Sequence, residues 1–134
     1  MPTFLDLRTS VQSNTDAITA AIPTGTPTLT GDIGLVTTGA VGQIRVALQG
    51  FAKITAPATP GATITITVLR GATVIFTTTF TSTTANEQVS AGFEAADLPL
   101  TPAGGLLQYQ MQVVASAAGA TLGARAFTGI AAAD

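Results

Sequence analysis

Cysteine, histidine and tryptophan are all missing from the 134 residues of this chain, and charge is scarce: five basic and seven acidic side chains, 9% of the total. Without cysteine there is neither a disulfide nor a thiolate metal site. Without histidine the commonest general base and metal ligand is gone as well. Catalysis would have to rest on carboxylates and hydroxyls alone. The five basic residues, Arg8, Arg45, Lys53, Arg70 and Arg125, are never adjacent, so the chain has no footprint for nucleic acid. No run reaches 18 apolar residues, and the start has neither a basic region nor an apolar stretch of the signal-peptide kind. We expect no membrane span, and if the protein ends outside a cell, it leaves by lysis or another route, or the sequence has been trimmed.

What the chain has instead is threonine (25) and alanine (24), in a sequence that is 46% hydrophobic with a net charge of only -2. Threonine is branched at Cβ and suits a pleated strand. A surface with so little charge is weakly protected against association.

Two regimes follow each other along the chain. From Thr3 to Ile22 there is no Gly and no Pro; from Pro23 onward both recur every few residues, the mark of a chain that turns often. In the first regime Phe4, Leu7, Val11, Ile18 and Ala21 fall at alternating three- and four-residue steps, with Asn14 in the one polar place. That heptad-like stripe predicts a helix ending before Pro23. The competing reading puts Leu5, Leu7 and Val11 on one face of a strand, with Asp6 and Arg8 on the other; the helix is preferred because it also accounts for Ile18 and Ala21. Phe4, Leu5, Leu7, Val11, Ile18 and Ile22 are thus the expected contacts of an intersubunit arm. Residues 23–31, with Pro23 and Pro27, read as an extended linker.

Beyond Gly31 the period becomes two. Ile33, Leu35 and Thr37 suggest one strand. Ile44, Val46 and Leu48 suggest a second, continuing toward Ile54. Ile64, Ile66 and Val68 alternate with Thr63, Thr65 and Thr67 in a third. Arg70-Gly71 sits between two strand-like runs, 62–69 and 72–80, where Gly permits a tight hairpin turn. Val89, Ala91 and Phe93 alternate again, and residues 98–105 form a loop. Leu107, Tyr109, Met111 and Val113 alternate with glutamines, and Leu122 to Ile130 forms a last strand. Seven or eight short strands with no helix between them indicate an all-β antiparallel sandwich or jelly roll. The expected organisation is an arm of residues 1–22, a linker of 23–31 and a β-sandwich of 32–134.

The chemistry-bearing residues are few. Glu87, Glu94 and Asp97 are close in sequence but fall on or beside a strand and loop, where solvated charge is the ordinary expectation. Asp97 with loop carbonyls lacks the acidic density of a calcium site. Lys53, the only lysine, has no evident partner for an isopeptide bond. Thr63-Ile64-Thr65-Ile66-Thr67 has the look of an ice-binding threonine ladder, but a single run is better explained as one strand face. Aromatic residues are 5% of the chain and suit a core, so a sugar platform is unsupported. We expect no enzyme and no cofactor.

The run Ile64-Thr65-Ile66-Thr67-Val68-Leu69-Arg70-Gly71-Ala72-Thr73-Val74-Ile75-Phe76 resembles small β-proteins of spore-forming Firmicutes associated with the exosporium and spore-surface appendages. So do Pro102-Ala103-Gly104 leading into Tyr109 and Val113, and the terminal Phe127-Thr128-Gly129-Ile130-Ala131. The resemblance spans residues 62–131. It implies a jelly-roll subunit that polymerises into a surface layer or fibre through an N-terminal connector, made in the mother cell, with copies of itself as partner and another spore-surface protein as anchor. The departure is that several such appendages are cross-linked by cysteines and this chain has none, so any fibre must hold by strand pairing and apolar packing. The alternative is a trimeric binding module of the phage decoration or receptor-binding kind, with a helical arm joining three β-heads.

Overall fold

Strands alternating between apolar and polar residues can bury one face only, and this chain solves the problem by pairing itself end to end. In the computed structural model, residues 3–16, 19–99 and 105–134 are described. They form β1 (Thr3–Ser13), β2 (Ala20–Ala21), β3 (Thr28–Val36), β4 (Ile44–Thr55), β5 (Thr63–Arg70), β6 (Thr73–Thr81), β7 (Gln88–Asp97), β8 (Leu106–Ala115) and β9 (Thr121–Ala133). The first long strand pairs with the last, β1 with β9; then β3 pairs with β8, β4 with β7 and β5 with β6, all antiparallel. The chain is one long folded ribbon rolled over, so that β4 also meets β9 and β5 also meets β8.

Two sheets result, one in the order β1-β9-β4-β7 with β2 beside β9, the other in the order β3-β8-β5-β6. That is the eight-stranded jelly roll. Its core lies between the sheets and is filled mainly from β3, β4, β5, β7, β8 and β9, with Phe127, Tyr109, Met111, Leu48, Ile64 and Leu35 fully buried, while β6 and, through Leu5, β1 pack against it with half-buried residues. Local chemistry fixes the turns: β5 and β6 are joined by Gly71-Ala72, with Arg70 opposite Thr73 and Gly71 at φ +58°, a conformation that L side chains disfavour.

The N-terminal helix expected from the heptad spacing is not formed. Residues 3–13 are a strand paired antiparallel with β9, from Thr3 opposite Ala133 to Ser13 opposite Arg125. The three-residue step from Phe4 to Leu7 comes instead from an irregularity between Phe4 and Asp6, and the four-residue step from Leu7 to Val11 is two ordinary periods of two; a second irregularity follows between Val11 and Ser13. A bulge adds one residue to a period-two pattern, so Phe4 and Leu7, three apart, share one face. The preferred helical reading therefore gives way to the strand reading. Two further segments are tied down: Ile22 is buried and donates its N–H to Ala120 O, and Gly25 donates to Ala115 O.

Candidate assembly surfaces

Strand β1 is an unusual member of a sandwich, because it turns its large apolar residues to solvent. Phe4, at 64% exposure, with Leu7 and Val11, lies on the outer face, while the opposite side carries Asp6, Arg8 and Ser10. The rows facing it are already filled, since Phe127, Gly129 and Ala131 of β9, the partners of Ser10, Arg8 and Asp6, pack inward. A Cβ at Gly129 would come 2.5 Å from Ile33 Cδ1, so the Ile33 side chain would have to shift to admit it.

Asp6 and Ser10 reach sideways to β3, the edge of the other sheet. Asp6 Oδ2 accepts the Val36 N–H at 2.8 Å, and Ser10 Oγ accepts the Asp32 N–H at 3.3 Å. The four-residue spacing on β1 matches the spacing on β3, so side chains supply acceptors where no further strand lies. Arg8 Nε donates to the same Asp6 oxygen at 2.9 Å. The Val36 amide first, and then Arg8, hold the Asp6 carboxyl below its ordinary range. Near the end of the strand Gln12 Oε1 accepts Arg125 Nε at 2.7 Å, and beyond it Asp16 pairs with Lys53 while accepting the Ala124 N–H.

The arm residues expected from the sequence are thus divided. Phe4, Leu7 and Val11 come together on one face. Leu5 sits at the bulge, half-buried against the core, and Ile22 lies in the core itself. Ile18 lies outside the described residues.

The surface that includes Phe4, Leu7 and Val11 extends over the whole outer face of the sheet, and sequence reasoning did not assemble it. Residues alternate strictly here. Leu7, Ile130, Ala47 and Ala96 form one row across the four strands; Thr9, Thr128, Gln49 and Glu94 form the next; Val11, Ala126, Phe51 and Gly92 form a third. The small side chains of β7 and β9 leave a shallow groove of about 720 Å³ between Phe51, Gly92, Glu94, Ala126 and Thr128. Glu94 accepts a hydrogen bond from Gln49 Nε2 at 3.2 Å, and Arg45, two rows away, is bound by Asp134 at 2.9 Å. The signal available in sequence was the outer half of the β4 pattern, Arg45-Ala47-Gln49-Phe51, but only strand order places it beside β1.

The acidic residues do not converge. Glu87 is held by the hydroxyls of Thr83 and Thr84, Glu94 by Gln49, and Asp97 by Arg70 Nη1 at 2.5 Å and the Tyr109 hydroxyl at 2.7 Å. A guanidinium on Asp97 is a poor neighbour for a calcium ion. Among the described residues, no three His, Cys, Asp or Glu side chains stand close enough to share a metal, and no helix is long and apolar enough to cross a membrane. Thr63, Thr65 and Thr67 do gain cross-strand partners, Thr81, Thr79 and Thr77 of β6. Residues 100–104, which include the Pro102-Ala103-Gly104 stretch, lie outside the described residues.

No family profile matches the sequence, and no curated protein does. Among solved structures, the VP2 subviral particle of infectious bursal disease virus is similar over 96% of this chain, at 10% identity and a TM-score of 0.57. This chain spans about a third of that protein's length, 32%. Vertex protein P5 of PRD1 is similar over 97% of both chains, at 14% identity and a TM-score of 0.50. A chain from Bacillus endospore appendages, described as disulfide-linked pili, covers 98% of this chain and 88% of its own at 14% identity, with a TM-score of 0.48. At such identities the first two likenesses establish a shared jelly-roll fold.

Proposed function

We propose that this protein is a non-enzymatic, self-assembling structural subunit of a bacterial surface fibre or spore-surface appendage, in which copies are joined by their N-terminal strands. The supporting observation is the way β1 is held. It completes the jelly roll through a ladder to β9, yet contributes little to the core and leaves its apolar face open. A strand bound mainly by backbone pairing can be exchanged for the same strand of a neighbour with little change in contacts, and head-to-tail exchange grows without closing. In this reading the expected connector 1–22 narrows to β1, because Ile22 and, from Thr28, the end of the expected linker 23–31 stay with the building block. The absence of cysteine leaves strand pairing and apolar packing as the cohesive forces, and the residue 62–131 resemblance supports the spore surface as the place.

The test is negative-stain electron microscopy of the full-length chain beside one lacking residues 1–13, a deletion that keeps Ile22 in the core. Filaments from the full chain alone, shortened by added peptide of residues 1–13, support the reading. Dispersed particles from both chains, or filaments from both, overturn it.

A further inference from the structure

The outer face of the β1-β9-β4-β7 sheet has a size pattern that matches itself. We infer that this face docks on the same face of a second copy, around a two-fold axis running between β9 and β4. Such an axis, lying in the plane of the interface and along the strands, sets β1 of each copy over β7 of the other and β9 over β4. Rows stay in step, because rotation about a strand-parallel axis leaves position along the strand unchanged.

The register then dictates what meets what. Leu7 falls opposite Ala96, and Val11 opposite Gly92; Ile130 falls opposite Ala47, and Phe51 opposite Ala126. In all four cases a large side chain meets a small one, as interdigitation of two sheets about 10 Å apart requires. The polar row also matches, with Thr9 over Glu94 and Thr128 over Gln49. The charges on this face are already bonded: Glu94 by Gln49, Lys53 by Asp16, and Arg45, which falls opposite Ala132, by Asp134. Five of the large exposed apolar residues, Phe4, Leu7, Val11, Phe51 and Ile130, are gathered on this one face, more than scattered surface hydrophobics would give.

This inference deepens the self-assembly reading by naming a second contact, a closed and isologous one, distinct from strand exchange. Disulfide trapping separates the two, and the cysteine-free sequence gives a clean background. Within one chain Val11 and Gly92 are three strand spacings apart, roughly 14 Å, too far for a disulfide. An exchanged β1 occupies the same place in the sheet and is equally far. Only face-to-face docking sets the two positions opposite each other, the arrangement in which a disulfide joins the two packed sheets of immunoglobulin domains.

The full-length Val11→Cys/Gly92→Cys chain should therefore oxidise to a covalent dimer with both thiols consumed. A Val11→Cys/Thr79→Cys chain, whose second cysteine lies on the other sheet, should remain reduced or cross-link only at background level. Adding Ala47→Glu to the first pair should reduce trapping at least several-fold, while Thr79→Glu should not; circular dichroism verifies that each variant is folded. Trapping no greater than in the control pair, or trapping indifferent to Ala47→Glu, overturns the docking. Filaments formed without trapping would sink this contact and leave strand exchange standing; trapped dimers without filaments would do the reverse.

Discussion

The hydroxyl of Tyr109, whose ring is fully buried, donates to Asp97 Oδ2 at 2.7 Å and so ties β8 of one sheet to β7 of the other. Arg70 at the end of β5 donates to the same oxygen. Burial, and then the Asp97 carboxylate, push the phenol well above its ordinary range, which keeps it a donor to that carboxylate at neutral pH. Tyr109→Phe removes one donor and leaves Asp97 paired, and should cost about 1–2 kcal/mol; Asp97→Ala strands both partners and should cost about 2–3 kcal/mol. Urea unfolding ranks the two. Equal costs would mean that Arg70 and Tyr109 find water once the carboxylate is gone.

Gly50 lies on β4 with its missing side chain aimed at the core. A Cβ there would sit 2.5 Å from Phe93 Cε1 and 3.2 Å from Met111 Sδ, whereas at Gly92 the nearest atom would be 3.9 Å away. Phe93 is fixed by Phe76 on one side, with ring centres 5.3 Å apart, and by Phe127 on the other at 6.2 Å. Gly50→Ala should therefore destabilise by about 1–3 kcal/mol through overpacking, while Gly92→Ala should be neutral or slightly stabilising in the monomer. Thermal unfolding of both at low concentration checks the contrast.

Acid should loosen β1 first. The folded-state pKa of Asp6 is depressed below 3.8, so its stabilising contribution is fully present above that ordinary value and lost as pH falls through the folded one. Asp16 and Asp134 are lowered too, by Lys53 and Arg45, and add to the same trend. Asp6→Asn keeps an acceptor for the Val36 amide but no charge, so it should lower stability at pH 7 and flatten the decline between pH 5 and pH 2. Urea midpoints across that range decide it; a decline as steep as the parent's would assign the acid effect to other carboxylates.

The sandwich was legible because strands such as Ile64-Thr65-Ile66-Thr67 and Leu107 to Val113 declare their buried face by simple alternation, and Gly71 marks its hairpin. Strand β1 was misread because a bulge at Leu5 stretches one period of two into a step of three, while Leu7 and Val11 lie two periods apart, spacings that periodicity alone cannot tell from a helix. Its true partner, β9, lies at the far end of the chain, and nothing local to Phe4 or Leu7 points there. The outer face escaped for the same reason: Ala47, Ala96, Ala126 and Gly92 are undistinguished residues until strand order places them around Phe51 and Ile130.

The exchange of β1 between copies makes a demand on its dynamics. β9 is paired on both sides, by β1 and β4, and buries Leu122, Phe127 and Ala131, whereas β1 is paired with β9 alone and buries only Ser13. Local opening draws on the elements with least burial, so amides of residues 3–13 that bond to β9 should exchange with deuterium orders of magnitude faster than those of β9 that bond to β4. Mass spectrometry of the unassembled chain resolves the two segments. If β1 is protected as well as the core of β9, it leaves only when the whole domain unfolds, and joining by strand exchange would have to happen before each copy has folded upon itself.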